Sequence, residues 1–297
     1  MTSQTKPLRH ALAVVTGAST GIGAATAREL AKRGFHVLAG VRREADGDAI
    51  RSANVEPSRL DITNESEIAM LVKRIAEDPD RRPLRALVNN AGIQVNAPVE
   101  ALPLFEWRRL FDVNLFGHVA MTQALLPALI ESRGTVVNVT SVGGKVAMAG
   151  YGPYAGTKFA LEAVSDSLRR EVADFGVKVV VIEPGAVTTE MTGRLVVASE
   201  RITNGMTAEQ SGRYGALMQA VIAQAQTFTR EGAGLPAEEV GRVIADAIIS
   251  ERPRTRYTVG RDAAIIVRLA RYVSDRMLDS LLARALKPYL PKALPTP

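Results

Sequence analysis

Three side chains in one stretch could carry acid–base chemistry: Ser141, then Tyr154 and Lys158 in the run Tyr-Ala-Gly-Thr-Lys. Residues four apart on a helix share a face, so the phenol and the ammonium would point into one space. A free tyrosine titrates near ~10. A nearby ammonium favours the phenolate and lowers that value. A phenol so placed can give a proton to a carbonyl oxygen or take one from an alcohol. Alone, the spacing equally describes an exposed tyrosine beside a solvated lysine. The surrounding elements must decide.

Those elements alternate. Ala11 to Thr16, His36 to Val41, Val55 to Leu60, Leu84 to Val88, Thr135 to Thr140 and Val177 to Ile182 read as short buried strands. Between them the periodicity predicts helices from Ala24 to Arg33, from a cap at Asn64 to Glu77, from Pro103 to Ile130 and from Tyr151 to Phe175. This is the pattern of βαβ units: an α/β fold with a parallel sheet and helices on both faces. Ligands of such sheets bind beyond the carboxyl ends of the strands. Gly17 to Gly23, Asn89 to Gly92, Ser141 and Pro184 to Thr188 all fall there. The whole chain, 1–297, reads as one domain. Residues 190–230, broken by Gly193, Gly205, Gly212 and Gly215, read as mobile helices or a lid. Pro236 to Ser250 reads as a helix and Tyr257 to Val259 as a last strand. A C-terminal helical extension follows at about 261–290. A single helix over 262–287 puts Ile265, Ile266, Leu269, Val273, Met277, Leu281 and Leu282 on one stripe, expected to pack on the body of the protein. A loose end is expected at Pro288, Pro291, Pro295 and Pro297.

Composition narrows the chemistry. There is no cysteine, which excludes thiolate metal sites and a cysteine nucleophile; three scattered histidines (His10, His36, His118) give no metal set. The net charge of +6 comes from dispersed arginine pairs rather than a basic run, so no nucleic-acid partner is expected. Neither a signal peptide nor a run of some 18 apolar residues is read, and a cytoplasmic location is the expectation.

The loop Thr16-Gly17-Ala18-Ser19-Thr20-Gly21-Ile22-Gly23 joins the first strand to the first helix. Glycines there let a pyrophosphate approach the backbone, and the helix N-terminus offers free N–H groups. An NAD site would place a carboxylate ~20 residues on. Here the second strand ends at Val41 and is followed by Arg42 and Arg43. Cations at that point favour NADP(H), with NAD(H) as the open alternative.

With these residues together, the chain resembles the short-chain dehydrogenase/reductase superfamily from about Ala11 to Thr189. The motifs in family order are Thr16-Gly17-x-x-x-Gly21-Ile22-Gly23, Asn89-Asn90-Ala91-Gly92, Asn114, Ser141, Tyr154-x-x-x-Lys158 and Pro184-Gly185. The resemblance implies a doubly wound, Rossmann-type sheet and an NAD(P)-dependent oxidoreductase, commonly a homodimer or homotetramer built on the helices at about 103–130 and 151–175. It makes Tyr154 the acid/base and gives Lys158 the tuning of that phenol and the nicotinamide ribose. Ser141 would hold the substrate oxygen, and Asn114 a relay water. Ser19, Thr20, Ile22, Ala91, Gly92, Pro184, Gly185 and Val187 would line the cofactor. Asp61 and Ile62 would border the adenine, unless Asp61 is a turn residue. Asn90 would lie by the adenine ribose, or merely stabilise its loop. Thr188 would touch the nicotinamide amide or a phosphate, or cap a helix.

The sequence around the catalytic pair is similar to the hydroxysteroid and retinol dehydrogenase branch. Val95, Val146, Met148, Tyr151, Val187, Met191 and Leu195 would form an apolar pocket for a lipophilic alcohol or ketone. Other readings are a 3-oxoacyl thioester reductase, an epimerase or dehydratase using the cofactor transiently, and a non-catalytic cofactor sensor. A sensor need not keep Asn114, Ser141, Tyr154 and Lys158 together. The C-terminal helix could alternatively form a subunit contact or lie on a membrane.

Overall fold

The computed structural model describes residues 10–229 and 233–291. Seven strands form one sheet: β1 (Leu12–Val15), β2 (His36–Val41), β3 (Val55–Arg59), β4 (Leu84–Asn89), β5 (Thr135–Val139), β6 (Lys178–Pro184) and β7 (Arg256–Val259). Their order is β3-β2-β1-β4-β5-β6-β7, and every pairing is parallel. The helices are α1 (Gly21–Lys32), α2 (Glu44–Asp48), α3 (Glu65–Ala76), α4 (Leu104–Phe111), α5 (Gly117–Ser132), α6 (Gly152–Glu171), α7 (Glu190–Asn204), α8 (Ala208–Thr227), α9 (Ala237–Ile249), α10 (Arg261–Tyr272) and α11 (Asp275–Leu286).

Successive strand residues point to opposite faces. Ala13 and Val15 pack with Ala27 and Leu30 of α1 and Ile244 and Ile248 of α9. Leu12 and Val14 pack on the other side with Leu71 of α3 and Met121, Leu125 and Leu129 of α5. Both faces are covered, which is why the strands read as unbroken apolar runs. Truncating a fully buried side chain such as Leu125 to alanine would cost about 2–5 kcal/mol. From β1 the chain winds outward to β2 and β3 and then returns to β4 on the opposite side of β1. That reversal opens the crevice between β1 and β4.

Local signals explain several boundaries. Asn64 caps α3, its side-chain oxygen accepting from the N–H groups of Ser66 (3.0 Å) and Glu67 (3.3 Å). Between α4 and α5 a π-helical turn, Asp112–Phe116, carries Asn114. Such turns widen the helix locally and recur at functional sites. The combined helix Leu104–Ser132 is long and apolar enough to cross a membrane by length and composition. In this fold its Leu110, Met121, Leu125 and Leu129 are buried in the cores.

Some boundaries differ from the sequence expectation. α1 starts at Gly21, earlier than Ala24, because the glycines form its open first turn. Gly193, Gly212 and Gly215 lie inside α7 and α8, where an added Cβ would meet nothing, so they do not break them. The break falls at Gly205, after which Thr207 and Gln210 form a reciprocal capping box. The expected single helix over 262–287 is two, because Val273 is extended and Ser274-Asp275 starts a new helix. Nor does its stripe pack fully on the body: Ala263 is buried, but Ile265, Leu269 and Met277 are exposed. Pro288 lies in a short 3-10 turn, Lys287–Tyr289, whereas Pro295 and Pro297 fall outside the described residues.

Candidate active site

A cleft of about 1910 Å³ opens at the carboxyl ends of the strands. One end is lined by the glycine loop, Arg42, Arg43 and Asp61, the other by Ser141, Met148, Tyr151, Tyr154, Lys158, Met191 and Leu195. Tyr154 and Lys158 project from one face of α6, and the Lys158 ammonium lies 5.7 Å from the centre of the tyrosine ring. Lys158 Nζ donates to the Val139 carbonyl at the end of β5 (2.9 Å). Ser141, just beyond β5, accepts from the Gly143 N–H (3.0 Å). Gly143 sits between the two hydroxyl-bearing side chains: a Cβ added there would be in ordinary contact, 3.4 Å, with both Ser141 Oγ and the Tyr154 ring.

Asn114 is fully buried and does not line the cleft. Its oxygen accepts from the Ile93 N–H (2.9 Å), while its amide donates to the Ile93 carbonyl (2.9 Å) and to Thr157 Oγ1 (3.1 Å). Thr157 in turn donates to the Tyr154 carbonyl (2.7 Å). Asn114 thus ties Ile93, just after the Asn-Asn-Ala-Gly segment, to the helix that carries Tyr154 and Lys158.

Burial reverses the expected sense of the tyrosine shift. Desolvation pushes the Tyr154 phenol up to about 12, with Ser141 pulling the other way. It pulls the Lys158 ammonium down to about 8, partly offset by Glu162 one turn along. Removing both groups from water disfavours both charged forms. At neutral pH the phenol therefore keeps its proton.

The glycine loop fits a dinucleotide pyrophosphate. Gly17 and Gly21 have φ of +62° and +57°, in the left-handed region. A Cβ at Gly17 would stand 2.7 Å from the Ala91 Cα, and one at Gly23 2.3 Å from the Gly17 carbonyl oxygen. Gly23 is therefore buried and packs loop against helix, leaving Ser19, Thr20, Gly21 and Ile22 to face the cleft. Asn90 takes the stabilising role: its amide donates to the carbonyls of Thr16 (2.9 Å) and Gly17 (3.1 Å), while its edge still lines the cleft.

Arg42 has no ion-pair partner among the described residues, whereas Arg43 is held by Asp46 through two hydrogen bonds of 2.9 and 2.7 Å. One Asp61 oxygen accepts from the Thr63 N–H (2.9 Å) and hydroxyl (2.7 Å), making a turn, and the residue also borders the cleft beside Ile62. Ala91, Gly92, Pro184, Gly185 and Val187 line the cleft as expected. Two residues do not. Val146 is buried, 3% exposed, and absent from the cleft wall, its N–H held by the Val142 carbonyl (3.0 Å). Thr188 lines a smaller neighbouring cavity, its backbone tied to Leu235 and its hydroxyl packed near Gly234; Thr189, not Thr188, holds the N-cap position of α7, without a side-chain capping bond.

Sequence reasoning missed several contributors. Glu162 is buried one turn beyond Lys158, accepting from Thr140 Oγ1 (2.7 Å), Lys145 Nζ (2.6 Å) and Arg256 Nε (3.1 Å). Its i+4 spacing from Lys158 was the available signal. Arg194 of α7 reaches the glycine loop, which no local pattern announces. His118, one turn beyond Asn114, is buried, with no well-formed hydrogen bond on its ring nitrogens and only the Ala91 backbone within reach of them.

Comparison with known proteins agrees with this geometry. A family model described as short chain dehydrogenase matches residues 11–199. The chain is 36% identical over 250 residues to 3-amino-tetrahydro-pyrrolizinone reductase of Xenorhabdus hominickii, covering 84% of this chain and 87% of that protein. It is 33% identical over 288 residues to human retinol dehydrogenase 5, covering 94% and 90%. A short-chain dehydrogenase from Burkholderia cenocepacia J2315, solved in complex with NADP, superposes with a TM-score of 0.70 at 26% identity, covering 94% and 98%. A dinucleotide-dependent oxidoreductase is the class that this sheet and crevice define. The chain belongs to the short-chain dehydrogenase/reductase family, with retinol dehydrogenases among its relatives.

Proposed function

We propose that the protein is an NADP(H)-dependent oxidoreductase for a lipophilic ketone or secondary alcohol, of steroid-, retinoid- or long-chain-like character. The observation that carries the cofactor choice is Arg42, a guanidinium with no ion-pair partner among the described residues, at the end of β2 where an NAD site would place a carboxylate. The NADP in the Burkholderia structure supports the same choice. The apolar end of the cleft, with Val95, Met148, Tyr151, Met191 and Leu195, supports the substrate class.

A bound nicotinamide supplies the hydride. The chain does the rest. Tyr154, protonated at neutral pH, donates its phenolic proton to the substrate oxygen in the reduction direction. Ser141 holds that oxygen beside it. Lys158 holds the nicotinamide ribose and replenishes the proton. Asn114 fixes the loop and helix that carry these groups through a fully engaged side chain.

We read the chain as one domain with α7 and α8 as the lid. A homodimer or homotetramer is supported by Leu104, Phe105, Phe116 and Phe159, exposed on α4, α6 and the intervening turn. We place the protein in the cytoplasm, with the exposed Ile265, Leu269 and Met277 available for a peripheral membrane or subunit contact. The test is a panel of steroids, retinoids, aliphatic ketones and 3-oxoacyl thioesters with NADPH, followed by absorbance. Turnover of the lipophilic ketones is expected. Turnover of the thioesters alone would overturn the substrate class, and none with any carbonyl would favour the sensor.

A further inference from the structure

The lid carries a cation that the mechanism above does not use. Arg194 sits on α7, and its Nη2 stands 3.5 Å from Thr20 Oγ1, which is a reach toward the glycine loop rather than a strong hydrogen bond. The same nitrogen donates to Glu190 one turn earlier (2.9 Å). Among the described residues this guanidinium meets no other hydrogen-bond or ion-pair partner. The start of the lid also touches the loop: a Cβ at Gly21 would lie 3.0 Å from Thr189 Cγ2. Arg42, Arg43 and Arg194 line this end of the cleft with Asp46, Asp61 and Glu190, three cations beside three carboxylates. Asp46 feels both Arg42 and Arg194, so the group is electrostatically one cluster.

We propose that Arg194 is a cofactor-binding residue that closes the lid over the dinucleotide by pairing with its pyrophosphate, and that Glu190 holds the guanidinium in place until then. The inference rests on the dinucleotide reading above. Thr20 is the N-cap of α1, and its side chain caps no N–H of that helix. The first-turn N–H groups and the Thr20 hydroxyl face the position a pyrophosphate takes on such a loop. Arg194 would approach the same phosphates from the opposite side. An arginine fork suits two neighbouring phosphate oxygens, and a charge-assisted contact is stronger than the exposed i,i+4 pair it replaces. The lid would thereby sense the part shared by NADP(H) and NAD(H), while Arg42 senses the 2′-phosphate that distinguishes them.

The test is calorimetric binding to the full chain, with ADP-ribose as a pyrophosphate lacking a 2′-phosphate and adenosine 2′-phosphate as the converse. Arg194→Met is expected to weaken ADP-ribose, NADH and NADPH alike, by about tenfold, and to leave adenosine 2′-phosphate within about twofold. Arg42→Ala should do the reverse, weakening adenosine 2′-phosphate and NADPH only. Glu190→Gln, which removes a competing carboxylate, should tighten ADP-ribose, an outcome that a folding defect would not give. Unchanged ADP-ribose binding by Arg194→Met, or a loss confined to 2′-phosphorylated ligands, would overturn the proposal while leaving the oxidoreductase reading intact. A wild-type protein that binds neither NADPH nor ADP-ribose would overturn both.

Discussion

The two ends of the cleft work by opposite physics. At the reacting end Tyr154, Lys158 and Asn114 are almost wholly buried, and desolvation sets the protonation of the phenol and the ammonium. At the adenine end Arg42, Arg43 and Arg194 stand in solvent, and each matters by whether a carboxylate already holds it. Burial makes a site sensitive to pH and to the loss of any single member. Exposure makes it depend on charge count and ionic strength. A reaction that moves a proton suits the first environment, and the binding of a multiply charged phosphate suits the second.

The contrast can be pressed hardest at Lys158. Lys158→Met should lower turnover by roughly 10²–10⁴-fold. It should also change the stability curve. Below about pH 8 the lysine is protonated in both folded and unfolded chains, so its burial penalty is full. Between about 8 and the ordinary value of 10.5 the folded chain has lost the proton and the unfolded chain has not. Stability therefore rises with pH in that window, by about 1.4 kcal/mol per unit. Denaturant unfolding across pH should show this rise in the wild type and not in Lys158→Met.

His118 gives the matching test on the acid side. Burial, with a smaller contribution from Lys158, pulls its imidazole down to about 3. Between about 3 and the ordinary 6.5 the unfolded chain binds the proton and the folded chain does not, so stability falls as pH falls. His118→Gln should flatten acid unfolding over that range. A variant as acid-sensitive as the wild type would remove His118 from the account.

At the exposed end the effects should be smaller and selective. Arg42→Ala should weaken NADPH binding by about tenfold to a hundredfold, the worth of a charge-assisted phosphate contact, and leave NADH unchanged. Equal losses for both would sink the 2′-phosphate role. Arg43→Ala should change either affinity by no more than about threefold, because Asp46 already occupies that guanidinium. A larger loss for Arg43 than for Arg42 would exchange their roles.

The buried half of this account was the legible half. Apolar runs of strand length marked β1, β2, β4, β5 and β6, the glycine-rich turn placed itself at a strand end, and the Tyr-x-x-x-Lys spacing placed itself on one face of a helix. Those signals are local, set by periodicity and backbone geometry. Val146 was misplaced because an apolar residue near a site looks the same whether it faces the cleft or the core. The split at Val273 was missed because a continuous stripe hid the Ser274-Asp275 start signal. Arg194 and the cluster around Glu162 were invisible for a different reason: they act through residues distant in sequence, Thr20 in one case and Thr140 and Arg256 in the other. The sense of the Tyr154 shift also needed the fold, since a lysine four residues away says nothing of how little water reaches either group.

The most direct measurement is single-turnover oxidation of NADPH by Tyr154→Phe, with a ketone that the wild type reduces and with NADPH affinity measured alongside. The phenylalanine ring fills the same space without the hydroxyl. The expected result is wild-type-like NADPH binding with reduction nearly abolished. Reduction at the wild-type rate would mean that the proton comes from elsewhere, and the assignment of the buried end would be wrong.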